Sequence, residues 1–157
     1  MAAGLALAAP GFLWVLDQAR PSPLTHEVAL FGHLACLVVG FGAVLTVDWV
    51  AALWVLRRRT LSDILTSAGN VHVPIWTGYA GLVLTGLLLE PDLSSRPTQL
   101  KLALVLLIGW NGLLATWLRG RLDRGLSPAM LTLSCACAGV SQAAWWGALA
   151  IGHLTAR

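Results

Sequence analysis

Charge is scarce in this chain: only 11% of its 157 residues are Asp, Glu, Lys or Arg. A soluble domain carries roughly 25%, and so few charges cannot coat a water-facing surface. Cysteine is scarce too. Cys36, Cys135 and Cys137 all fall inside apolar runs, with no disulfide framework and no paired CxxC of a zinc site. There is neither a phosphate-binding loop nor a nucleophile elbow. The sequence therefore assigns no catalytic residue and leaves open whether the chain is an enzyme. The net charge of +3 is small, and the arginines lie in short clusters. They mark membrane topology and do not point to nucleic acid as a partner.

What is present is apolar. Hydrophobic residues make up 57% and the mean hydropathy is +0.77. A helix needs about 20 apolar residues to cross the hydrocarbon core. Lipid offers no hydrogen bonds, so each span must satisfy its own backbone. The runs here are too long and too continuously apolar for barrel strands. The expected fold class is all-α: a polytopic transmembrane helical bundle, one membrane domain over residues 1–157, with the lipid bilayer as its first partner. Four main spans are expected, at about 25–56, 71–89, 99–118 and 128–151.

A short apolar segment at 2–16 precedes them, interrupted by Pro10-Gly11; it lacks the basic start of a secretory signal and reads as a short spanning or interfacial helix. Arg20-Pro21-Ser22-Pro23 makes a linker. Thr25 is a candidate N-cap with Glu27 in the first turn. Thr60 to Asn70 is more polar and reads as a short surface helix beginning near Ser62-Asp63. Pro128 opens the last span.

Arg57 to Arg59 and Arg119 to Arg124 both connect an odd span to an even one. Positive loops stay in the cytoplasm. The acidic Glu90 to Asp92 loop, the start of the first main span and the C-terminus then face outward. If 2–16 spans, Met1 is cytoplasmic.

That orientation sorts the polar residues by depth. His26, His33, Lys101 and His153 fall toward the outer face; Asp48 and His72 fall toward the inner one. His33 lies two turns inside its span and is a candidate ligand, since neutral imidazole binds haem iron or copper through either nitrogen; the alternative is a hydrogen bond to a neighbouring helix. His26 and Cys36 share its helix face. Lys101, one turn into its span, also fits simple snorkelling. One bilayer core separates His72 from His33, which excludes a shared ion. Asp48 and His72 make a possible inner polar site, a proton or ion site in one reading. In the other, Asp48 pairs with Arg57 to Arg59 or with Asn70 and His72. Asn111 and Gln142, mid-span, suit helix-to-helix hydrogen bonds. Cys135 and Cys137 point to nearly opposite faces and read as packing residues. Trp14, Trp49, Trp54, Trp145 and Trp146 lie near span ends, as in an interfacial belt. Gly40, Gly42, Gly78, Gly81 and Gly86 allow close helix approach, but Gly81 and Gly86 are five apart and form no GxxxG motif.

A histidine early in the first main span, Thr85-Gly86 ending the second and Leu100-Lys101 opening the third resemble two related groups over residues 28–118. These are the CopD-like copper-resistance membrane domain and the HemJ-type protoporphyrinogen oxidase family, both small helical bundles of the inner membrane. The HemJ-type resemblance implies a b-type haem linked to His33 and Lys101. The CopD-like one implies copper handling, with His33 as its landmark. The leading expectation is a membrane protein binding haem b or copper near the outer leaflet, in a redox- or metal-linked role, with His33 central, Lys101 or His153 opposite, and His26 as a further metal candidate. A second expectation has no cofactor: an accessory subunit packing against other membrane helices or a second copy of itself. A third is a small ion or solute conduit using Asp48 and Gln142.

Overall fold

The computed structural model describes residues 23–122 and 127–155. The apolar segment 2–16, with Trp14, lies outside them. The described residues form five helices and no strand: α1 (Pro23–Val55), α2 (Leu61–Asn70), α3 (His72–Leu88), α4 (Arg96–Leu122) and α5 (Pro128–Thr155).

Local chemistry sets most of the boundaries. Pro23 takes a first-turn position, where its missing N–H costs nothing, so Thr25 lies inside α1 and does not cap it. At the other end, Arg58 N–H bonds Leu53 C=O and Arg57 N–H bonds Trp54 C=O, both at 2.8 Å. With Arg57 at φ 58°, this is a Schellman cap with arginine where glycine is usual. The surface helix α2 begins one residue before the expected Ser62. Its cap is Thr60, whose hydroxyl accepts from Asp63 N–H while Asp63 accepts from Thr60 N–H, a capping box. Pro74 cannot donate to Asn70 C=O, so the helical ladder breaks there, and α2 and α3 meet at a 49° bend. Glu90, at φ 48°, and Pro91 then stop α3. In the following loop the Ser94 N–H and hydroxyl both donate to Asp92, at 2.9 and 2.6 Å. These bonds hold the Asp92 carboxyl below the ordinary carboxylate range. α4 overruns its apolar stretch at both ends, at the C-terminal one because Arg119 and Arg121 are good helix formers. Ser127 caps α5 through a 3.2 Å bond from Met130 N–H.

The helices pack as two pairs. In the first, α1 crosses α3 where Gly40 faces Gly78. A Cβ added at Gly78 would sit 2.4 Å from Gly40 Cα and 2.8 Å from the Cys36 carbonyl. Only glycine permits that approach. Gly81 accommodates Cys36 in the same seam, whereas Gly42 meets nothing within 4 Å and serves no close contact among the described residues. In the second pair α4 lies against α5, joined by Asn111 donating to Cys137 C=O at 2.9 Å. Side chains join the two pairs. Phe41 of α1 stacks on Trp145 of α5 at 5.3 Å, and Tyr79 Oη donates to Val105 C=O of α4 at 3.2 Å. Phe41, Ile108, Ala144 and Trp145 form the buried core. Trp145, only 3% exposed, is therefore a core residue and not part of an interfacial belt. Neighbouring Trp146 and Trp49 do face outward.

The exterior is apolar, with Phe31 75% and Trp110 71% exposed. Surface threonines return their hydroxyls to the preceding turn, as Thr46 does to Gly42 C=O and Thr116 to Gly112 C=O. That is how a hydroxyl is satisfied without water. Two helices, Pro23–Val55 and Arg96–Arg121, are by themselves long and apolar enough to cross a membrane; α2 and α3 taken together make a third. This is fewer than the four expected. α3 alone has 17 residues. α5 has the length, but Ser134, Ser141, Gln142 and His153 dilute its apolar character.

Candidate functional site

Two polar centres lie within the bundle, at opposite ends of α3. The one at the C-terminal end of α3 is built on His33. Its Nδ1 lies 3.0 Å from Thr85 Oγ1, and Thr85 Oγ1 donates to Gly81 C=O at 2.6 Å. A hydroxyl has one proton to give. With that proton on Gly81, Thr85 is placed to accept from His33 Nδ1, and the ring also has a hydrogen bond with the Leu82 backbone. Gly86 lies beside the ring: a Cβ there would come 3.5 Å from His33 Cε1, an ordinary contact. Lys101, which the sequence grouped with His33, is near enough to act electrostatically on the imidazole. The grouping does not extend further. His26 and His153 are exposed at the ends of α1 and α5. His26 is seven residues from His33, roughly 10 Å along a helix. Among the described residues no three His, Cys, Asp or Glu side chains gather as a metal site. The protein ligands expected for copper, His33 with His26, are not brought together.

The other centre, at the N-terminal end of α3, is a cavity of about 230 Å³ between the two helix pairs, floored by α2. Asp48 and His72 both line it, as do Asn111, Arg119, Ser141 and the indoles of Trp76 and Trp145. Thr85, the partner of His33, is thirteen residues from His72 on the same helix, roughly 20 Å. The two centres are separate, and no ion bridges His33 and His72.

The Asp48 carboxylate accepts a short hydrogen bond from Gln142 Nε2, and Gln142 Oε1 in turn accepts from Trp146 Nε1 at 3.0 Å. Among the described residues Asp48 forms no ion pair with Arg57 to Arg59 and no bond with Asn70 or His72. α1 points Asp48 between the helix pairs, while the Schellman cap sends the arginines out at its end. Gln142, expected to join helices, does so with this carboxylate.

Arg119 was legible only as a topology marker. Its guanidinium rests over Gly69 of α2: a Cβ at that glycine would lie 2.7 Å from Nη2. No carboxylate among the described residues pairs with it, whereas Arg121, two residues on, sits 4.0 Å above the Trp117 ring. The available signal was that Arg119 falls within one turn of the apolar stretch, close enough to reach back into it. Cys137 is buried at the cavity wall and Cys135 is exposed, on opposite faces as their spacing requires. No family model, no curated protein and no solved structure matches the chain.

Proposed function

We propose that this chain is a multi-pass helical protein of the inner membrane that takes up a small polar solute in its inner cavity and passes it across the bilayer. One observation carries the reading. A carboxylate within a helix apolar enough to span, Asp48, opens on a cavity shared by all the packed helices and has an amide as its polar partner, not a cation. Intramembrane carboxylates are costly and mark solute or proton routes. A cavity of about 230 Å³ falls below the ~300 Å³ of the smallest drug-sized pockets, so the solute is small and a haem does not fit there.

In this reading α3 and α5 span the bilayer with α1 and α4. Each lies along one of those helices, and a helix packed on a span shares its surroundings. The 17 residues of α3 cover about 25 Å, and Val71 and Leu89 extend it toward the roughly 30 Å of the hydrocarbon core. The basic loops put the cavity on the cytoplasmic side, with α2 lying at that surface. The test is flux of small solutes into proteoliposomes holding the purified chain. Flux above that of empty liposomes is expected, with at least a tenfold loss on filling the cavity by Ser141→Trp. Equal leakage with and without the protein would sink the proposal.

The His33 geometry supports a second reading, a haem b in the outer leaflet. Metal-bound histidine usually gives its other N–H to a fixed acceptor, and Thr85 is such an acceptor. Lys101 is the second group within reach. The expected result is a Soret band after expression with haem supplementation, abolished by His33→Ala. A colourless wild-type protein rejects this reading and leaves the conduit untouched.

A further inference from the structure

The inner cavity holds two opposite charges that are not paired with each other. Asp48 is bonded by Gln142 and forms no ion pair among the described residues. Arg119 rests on Gly69 of α2 with no carboxylate partner among the described residues. Both side chains line the same space. A lone cation entering it gains from Asp48 but is opposed by Arg119, and a lone anion meets the reverse. In a low-dielectric cavity such like-sign opposition is expensive. A solute carrying both signs satisfies both walls and brings no net charge into the membrane. The remaining walls suit such a molecule: the Trp76 and Trp145 indoles offer apolar faces to a short carbon spacer, and Asn111 and Ser141 offer hydrogen bonds.

We propose that the solute of the inner cavity is a small zwitterion, an aminocarboxylate whose ammonium faces Asp48 and whose carboxylate faces Arg119. This rests on the conduit reading and names its substrate class. The probes are glycine, β-alanine and γ-aminobutyrate, with propylammonium and butyrate as single-charge controls. Each is titrated against the full chain in detergent by calorimetry, and the same set is tested for flux in proteoliposomes. The expected result is that one of the three zwitterions binds at least tenfold more tightly than either control. Asp48→Asn, which keeps an acceptor for Gln142, and Arg119→Gln should each erase that preference while the protein elutes as the wild type does. A control that binds as tightly as the best zwitterion overturns the zwitterion assignment, as does a preference that survives Arg119→Gln. Flux without zwitterion preference also overturns that assignment alone. No binding and no flux of any probe overturns the conduit reading with it.

Discussion

Replacing Gly78 by alanine is expected to destabilise the bundle by about 3 kcal/mol, near the upper end of overpacking penalties. One methyl group has this effect because of what it would strike. Its nearest atoms are Gly40 Cα at 2.4 Å, Gly40 N at 2.5 Å and the Cys36 carbonyl at 2.8 Å, all backbone. No rotamer change relieves such a clash, so α1 and α3 must move apart along the seam. Cys36 would then lift from Gly81, where an added Cβ would come 2.3 Å from its sulfur. Gly42 is the internal control: it is two residues from Gly40 and open on its own side. Gly42→Ala should be neutral or gain up to about 1 kcal/mol from helix propensity. Reversible unfolding in mixed micelles measures both. Equal midpoints for the two variants would show that the close crossing does not exist.

The second large effect is at Gln142. Gln142→Leu should cost about 3 kcal/mol, because it strands a carboxylate in the bundle. It also removes the acceptor of Trp146 Nε1. Asp48→Leu in the same background should recover much of the loss, since removing both partners leaves no orphaned polar group. The double variant is therefore expected to be more stable than Gln142→Leu alone, a strongly non-additive cycle. Additive losses would mean that the amide does not hold the carboxylate. The same double variant should abolish solute uptake, which separates stability at this position from function.

The helices were legible in the sequence because long apolar runs and their stops are local. Arg57 to Arg59 ends α1 and Glu90-Pro91 ends α3 through chemistry contained within a few residues. Apolar runs, however, measure the part of a helix suited to lipid, not the helix. α4 therefore extends beyond its expected 99–118 to Arg96–Leu122. Facing was not legible. Gly40 and Gly42 look equivalent in sequence, and only the position of α3 decides which one is touched. Trp145 and Trp146 are adjacent; one stacks on Phe41 in the core while the other is largely exposed. For the candidate site, the sequence grouped His33 with Lys101 and Asp48 with His72 by depth; in the structure Lys101 acts electrostatically on His33, and Asp48 and His72 line one cavity. Depth left Asp48 without its partner, since Gln142 is 94 residues away and no local pattern joins them. It also missed Arg119, because a basic loop residue carries no sign of whether its side chain turns outward or back into the bundle.

The division of the bundle into two pairs has a consequence for biogenesis. Everything that lets α1 and α3 meet backbone to backbone lies before residue 90, so that hairpin can close while the rest of the chain is still being synthesised. The α4/α5 hairpin then docks onto a finished surface through aromatic rings and two polar contacts, the Tyr79 hydroxyl and the Asp48–Gln142 bond. In that order of assembly Asp48 lacks its Gln142 partner until the last helix arrives. The final step of assembly covers this carboxylate and, in the same movement, closes the walls of the cavity around it.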